Sequence, residues 1–374
     1  MKRISLFLLL FLLLKATAVY SQGGDPEANL RIVPISPNAA SLGTYGLIPT
    51  DNYVGQANLT IPIYEIDLDG KKFPIALSYH TDGTRVAQEA TWAGLGWTLQ
   101  AGGCVIRQVQ DMDDFTARGC YNLTDAPWLT NPRFEVTDQN MERYMGYFRG
   151  DYDAEPDMFY FNAGGHSGSM FFNVLKNNRQ TNAVPTIQTQ EEVVKMVYNT
   201  SSNVWTMTDL EGYVYSFSKK ETTYYFLNTI EFFQPDITRS HIFPYNKEPQ
   251  VVTAWMLDSV TSPNGGTILF DYKKETIFTP ISTTEDVISL SEVVAGEITS
   301  QSPQYFKNKF NYNYTYSKIE QWTLSKISFE GGTVEFNTTD REDIESAESG
   351  KKVQKLSSIK AVSYTHLRAH ETLR

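Results

Sequence analysis

The chain of 374 residues carries 32 Lys and Arg against 43 Asp and Glu, a net charge of −11, with 41% hydrophobic and 13% aromatic residues. That acidity excludes attraction to nucleic-acid phosphates, and the apolar share is enough for the packed core of roughly two ordinary domains. Its 22 Tyr and 21 Phe, with many Thr and Val, favour an all-β fold of antiparallel hairpins, arranged as sandwich-like or shell-like sheets with little helix.

The first residues stand apart from that fold. Lys2 and Arg3 precede an apolar run over residues 6–14, and small residues follow up to Ser21, which is the pattern of a secretory signal peptide over residues 1–21. The run is too short to span a bilayer comfortably, and Lys15 interrupts its end. No cysteine lies near the expected cleavage point to carry a lipid, and no later stretch is apolar enough to cross a membrane. Removing Lys2, Arg3 and Lys15 takes the net charge from −11 to −14, and the mature protein is expected to be secreted or displayed at the cell surface. Residues 22–36 read as an extended lead-in.

Residues 37–105 are the stretch around which the chain is organised, and they open a β domain over residues 37–175. Leu59, Ile61 and Ile63 sit on one strand phase and Ile66 and Leu68 on the other, so a single-residue bulge is expected near Tyr64 and Glu65. Asp69-Gly70 supplies the positive φ angles of a tight hairpin turn. Phe73, Ile75, Leu77 and Tyr79 then alternate with Pro74, Ala76 and Ser78, a strand with one buried face, and a turn is expected after His80. In residues 92–103 the glycines Gly94, Gly96, Gly102 and Gly103 let backbone pass close to large rings, and Trp92 and Trp97 cover them. This reads as a sheet corner packed by tryptophan in preference to an aromatic platform for a sugar.

Residues 111–157 form an irregular excursion with one short helix candidate over residues 137–148. Asp151, Asp153, Glu155 and Asp157 alternate there, with Asp111, Asp113 and Asp114 as a weaker group. Oxygen ligands at that spacing suit Ca²⁺, but Pro156 stands where an EF-hand needs glycine, so the preferred reading is a solvated acidic turn and no metal or other cofactor is expected. Cys104 and Cys120 are a candidate disulfide in an exported chain, although spacing alone does not bring them together. His80, His166 and His241 have no nucleophile-elbow or triad order around them, which argues against an enzyme.

Strands resume over residues 157–173. Residues 186–361 then read as a hairpin region with an internal echo. Trp205, Trp255 and Trp322 each lead a strand, a glycine turn follows, and Phe217, Phe270 and Phe336 close the next strand. Irregular spacing rules out a strict solenoid. Residues 276–308, rich in Ser, Thr and Glu, read as a mobile loop. Residues 363–374 break the strand pattern and read as sequencing-adapter read-through, so the natural chain is expected to continue past residue 361. His366, His370 and Glu371 there imitate half a metal site, but a zincin motif needs its Glu between the histidines.

Several of these stretches together carry a family resemblance. PNAASLGTYG, NLTIPIY, FPIALSYH and ATWAGLGWTLQAGG, then DAEPDMFYFN and WMLDSVTSPNGGTILFDY, resemble the N-terminal region of secreted Rhs/YD-repeat proteins of the Bacteroidetes type. The resemblance covers most of residues 37–360. It implies a non-catalytic scaffold in which repeats wrap into a β-shell around a C-terminal toxin or effector, with roles in surface display, encapsulation or intercellular competition. The implied partner is the remaining C-terminal part of the same polypeptide. A secreted adhesin or carbohydrate-binding module, meeting surface glycans or proteins, is the alternative reading, and a glycoside-active enzyme is the third.

Overall fold

The computed structural model describes residues 34–47, 58–80, 88–110, 112–122, 141, 145–146, 151–153, 155–173, 182–188, 194–233, 241–244, 250–289 and 308–364. The signal peptide, nearly all of the lead-in, most of residues 137–148 and residues 365–374 lie outside the described residues.

The first element is a helix where the sequence pointed to none. Helix α1 runs Pro37–Leu47. Ser36 caps it, its Oγ accepting the Ala39 N–H at 3.1 Å, and Pro37 occupies the first helical position, where its missing N–H costs nothing. Gly43 and Gly46 inside the helix each cost about 1 kcal/mol of propensity, which hides it from a sequence reading. Docking compensates: Asn38 Oδ1 accepts the Trp92 N–H at 2.9 Å, and Asn162 Nδ2 donates to the Leu42 carbonyl at 2.8 Å.

Strands β1 (Asn58–Leu68), β2 (Lys71–His80) and β3 (Trp97–Gln100) form a three-stranded antiparallel sheet. The register shifts between Pro62 and Tyr64, so the expected bulge falls at Ile63. Asp69 and Gly70 turn the hairpin at φ 51° and 94°. Only the second apolar phase of β1 is buried. Ile66 and Leu68 enter the core, whereas Leu59 and Ile61 are 52% and 43% exposed. On β2 the simple alternation also fails, because Ile75, Ala76 and Ser78 are all buried. The strand lies between two others there, and Ser78 Oγ meets Thr60 Oγ1 at 3.0 Å and Gln100 Nε2 at 2.9 Å.

The remaining strands form one 15-stranded sheet. They are β4 (Gly103–Gln108), β5 (Met158–Ala163), β6 (His166–Phe171), β7 (Asn182–Ala183), β8 (Thr186–Ile187), β9 (Lys195–Asn199), β10 (Val204–Thr208) and β11 (Val214–Phe233). Next come β12 (His241–Pro244), β13 (Gln250–Thr261), β14 (Thr267–Phe278), β15 (Ser282–Ser289), β16 (Asn308–Phe329), β17 (Gly332–Asp340) and β18 (Gln354–Ser363). Every strand pairing among the described residues is antiparallel, as an all-β hairpin fold requires. β4 pairs with β13, so the regions expected at 37–175 and 186–361 share this sheet. Residues 276–308 are not simply a loop: β14 extends to Phe278, and β15 pairs with β16 across Ser282–Ser289.

The long strands exchange partners along their length. β11 pairs with β10 near its start, with β16 over Thr222–Phe233, and with β13 over Val214–Tyr224. β14 bridges β13 and β16. These four strands close a circuit, β11 to β16 to β14 to β13 and back to β11. All three tryptophan-led units are hairpins in it or beside it, but they are not copies. Trp205 stands directly opposite Phe217, while Phe270 faces Ile327 of β16 and Phe336 faces Ile359 of β18. Trp205, Trp255, Phe217, Phe270 and Phe336 are buried in the main core, which also takes Ile66, Leu68, Ile75, Trp92 and Leu99 from the three-stranded sheet and its approach. Burial on this scale supplies the main favourable term for folding.

Candidate functional site

Buried polar groups gather at three places, each tying together distant parts of the chain. The first lies at the tip of the β1–β2 hairpin and is here termed the latch. Lys71 Nζ reaches Asp209 Oδ2 at 2.5 Å and Glu211 Oε2 at 3.0 Å in the β10–β11 turn. It also lies 5.0 Å from the centre of the Tyr213 ring. Asp209 accepts the Tyr213 N–H at 2.9 Å and the Tyr215 hydroxyl at 3.2 Å. Burial raises the Asp209 carboxyl, but the bonds from Lys71, Tyr213 and Tyr215 outweigh it, and the group ends below its ordinary value. The Tyr213 hydroxyl donates to the Leu68 carbonyl at 3.0 Å, and Ser262 Oγ donates to Asp69 Oδ2. Asp69-Gly70 is therefore more than a turn: it presents the hairpin end to two turns of the large sheet.

The second place, the neck, closes the excursion between β4 and β5. Arg107 of β4 is 2% exposed. Its Nε donates to Asp157 Oδ2 at 2.8 Å and its Nη2 donates to Asp113 Oδ1 at 2.5 Å. Asp157 also accepts the Gln110 N–H at 2.7 Å and the Asp114 N–H at 3.2 Å, and Asp114 Oδ2 accepts the Asp157 N–H at 3.0 Å. Phe115 and Phe159 cover the guanidinium at 5.0 and 5.5 Å. Burial, reinforced by the charge of Asp157, pushes the Asp114 carboxyl up to about 8.

In the run Asp151, Asp153, Glu155 and Asp157 this geometry corrects the solvated-turn reading for Asp153 and Asp157. Asp153 and Asp157 are fully buried, and Glu155 is exposed. Asp157 serves Arg107, and Asp153 Oδ1 accepts the Glu155 N–H at 2.9 Å. Among the described residues no three His, Cys, Asp or Glu side chains are grouped to hold a metal ion. The candidate disulfide is corrected too, since Cys104 and Cys120 are buried free thiols. Cys104 and Ile106 face α1, whereas Val105 and Arg107 point to the other side of β4, where Cys120 lies beside the neck carboxylates. Burial pushes the Cys120 thiol up to about 12 and that of Cys104 further.

The third place, the clasp, holds the start of the described chain. Ser36 Oγ donates to Glu221 Oε2 at 2.5 Å, and Thr223 Oγ1 donates to the Pro34 carbonyl at 2.9 Å. Cys104 Sγ lies 3.9 Å from the Ala39 carbonyl.

The glycine–tryptophan knot packs against both sheets. Trp92 is 7% exposed, its ring centre lies 6.3 Å from that of Phe336, and its carbonyl accepts the Leu356 N–H at 2.8 Å. Trp97 packs on Tyr79 at 5.1 Å. Gly94 and Gly96 take φ of 125° and 74°, and Gly102 lies under the Phe270 ring. Gly103 has a steric role, because a Cβ there would sit 2.4 Å from the Asn162 carbonyl oxygen. Gly102 and Gly103 also line a cavity of about 220 Å³ with Ile66, Phe73, Leu257 and Ile327. No acid, base or nucleophile is among its described lining residues.

Lys71, Arg107, Asp209 and Glu221 had escaped the sequence reading. The one available signal was Arg107, a lone cation directly after the apolar run Cys104-Val105-Ile106, which needs a buried partner.

No protein-family model and no curated protein sequence matches the chain. Among solved structures, it is similar to the N-terminal domain of effector protein SpvB from Salmonella typhimurium strain LT2, at 10% identity and TM-score 0.32, covering 79% of this chain and 78% of that one. It is also similar to TcdB2-TccC3, at 12% identity and TM-score 0.37, covering 87% of this chain but 14% of that chain. A Photorhabdus luminescens Tc holotoxin pore is similar at 10% identity and TM-score 0.33, covering 82% of this chain and 12% of that one.

Proposed function

We propose that the chain is a non-catalytic β-scaffold within a large exported protein of the Rhs/YD-repeat kind that its sequence resembles, secreted or held at the cell surface. Its partner is then the remainder of the same polypeptide, which its sheets display or enclose for delivery of a toxin or effector, or for competition between cells. The observation that carries this reading is where the buried charge goes. Arg107, Asp157, Lys71 and Asp209 are each engaged in joining distant strands and turns. A catalytic site places such groups in a cleft, within reach of a substrate. Among the described residues no helix is long and apolar enough to cross a membrane.

The test is to read the natural locus beyond the codon for residue 361 with long reads. The scaffold reading expects the frame to continue into further tyrosine-rich hairpins and then a distinct terminal domain. A frame that stops at residue 374 with these same residues overturns it, and glycan binding by the chain itself becomes the leading assay.

A further inference from the structure

Glu221 is fully buried on β11, and among the described residues it has no ion pair. Its Oε1 accepts the Trp322 N–H at 3.0 Å and its Oε2 accepts the Ser36 hydroxyl at 2.5 Å. The same Ser36 oxygen caps α1 through the Ala39 N–H. Residues 34–42 therefore sit on the sheet through a few hydrogen bonds at Pro34, Ser36, Asn38 and Leu42 and through the packing of Ile35, Ala39 and Leu42 on Cys104, Ile106, Ala254 and Met256. Glu221 is the one titratable group in those hydrogen bonds.

Among the described residues its surroundings offer no counter-charge. The seated segment contributes the Ser36 hydroxyl, β4 contributes the Cys104 thiol and β14 the Tyr272 phenol, with Asp258 of β13 beyond it. β16 contributes the Trp322 N–H. Of the neighbouring lysines of β11, Lys219 holds its ammonium 5.8 Å from the Trp322 ring, and the Lys220 backbone carbonyl accepts the Trp322 indole N–H at 2.7 Å.

We propose that Glu221 makes the seating of residues 34–42 sensitive to pH across neutrality, closed while the carboxyl holds its proton and loosened once it ionises. Burial pushes this carboxyl from an ordinary 4.5 up to about 7. The folded form thus keeps a proton that the open form gives up, so the seating is fully favoured below about 4.5 and weakens as pH rises through about 7. An ionised Glu221 can reach water only if its cover moves. Trp322 is fixed in a paired strand, whereas Ser36 covers it with a single hydroxyl. Lifting Ser36 uncaps α1 and uncovers Cys104, which gives the motion a chemical reporter.

The experiment uses the full chain with Cys120→Ser and measures labelling of Cys104 by a neutral maleimide between pH 5.5 and 8.5. Each rate is divided by that of the same chain also carrying Glu221→Gln, which removes the thiol's common pH dependence; the Glu221 charge itself raises the Cys104 thiol and so works against the expected rise. The expected ratio is about tenfold at pH 5.5 and rises to roughly 300-fold by pH 8.5. A ratio that stays flat overturns the proposal. Should either variant fail to fold, amide exchange in the unmodified chain decides, corrected for base catalysis. Protection at Ala39 and Ala40 is expected to fall with pH while Val105 and Ile106 in β4 hold theirs, and parallel behaviour at both places overturns the proposal.

Discussion

The neck and the latch each join residues far apart in the chain, yet they differ in charge balance. At the latch, Lys71 faces one buried carboxylate, Asp209, and the exposed Glu211. Asp209 stays ionised there, below its ordinary value. At the neck, Arg107 faces Asp113 and Asp157 directly, with Asp114 beside them. One cation does not balance three carboxylates, and the surplus falls on Asp114, which holds a proton at neutral pH because burial and Asp157 disfavour its charge. The same residue type is thus a strong acid in one place and a weak one in the other. The number of buried carboxylates that share the single cation sets the difference.

Breaking the neck has the largest expected effect. Arg107→Met leaves Asp113 and Asp157 without their cation, and urea denaturation is expected to show a loss of about 3–5 kcal/mol. Adding Asp157→Asn is expected to recover part of that loss, and strictly additive losses would refute the pairing. Next is Gly103→Ala, whose new methyl would meet the Asn162 carbonyl oxygen and Ala163 across the β4–β5 pair. It is expected to cost about 2–3 kcal/mol in the same assay. At the latch the effects are smaller. Lys71→Met is expected to cost about 2 kcal/mol at pH 7. Because Asp209 lies below its ordinary value of 3.8, the stability it adds is lost as pH falls through the acid range, and Lys71→Met should flatten that loss in a pH series of thermal melts. Gly70→Ala comes last, at about 1 kcal/mol, since its φ of 94° is strained for alanine but nothing lies within 4 Å of the new methyl.

Asp114 sharpens the contrast through pH. Its folded value near 8 lies above its ordinary 3.8, so its contribution is fully present below about pH 4 and is lost as pH rises through about 8. Asp114→Asn is expected to flatten that alkaline decline while leaving the acid limb to Asp209. Melts of both variants across pH 3–9 separate the two sites.

Local features were legible in the sequence where one residue type has one physical job. Asp69-Gly70 demanded positive φ, and the phase change along β1 demanded a bulge, which the structure puts one residue from the expected place. The tryptophan-led hairpins were legible for the same reason. Helix α1 was not, because its two glycines weaken the helical signal while its stability comes from Trp92 and Asn162, far off in the sequence. The acidic run over Asp151–Asp157 reads as a solvated turn because no cation stands within it, while the group that claims Asp157 is Arg107, 50 residues earlier. The closed circuit of β11, β13, β14 and β16 depends on partner exchange within single strands, which periodicity does not encode.

The central claim is that side-chain ties and a shared core, without strand pairing, make the three-stranded sheet part of the same cooperative unit as the large one. Amide exchange as a function of urea tests it most directly, comparing Ala76 and Leu77 of β2 with Val105 and Ile106 of β4. The account predicts that both pairs exchange through the same opening, with one free energy and one urea slope. If β2 opens with a lower free energy and a shallower slope while β4 stays protected, the latch and shared core do not unite the two sheets, and the account is contradicted.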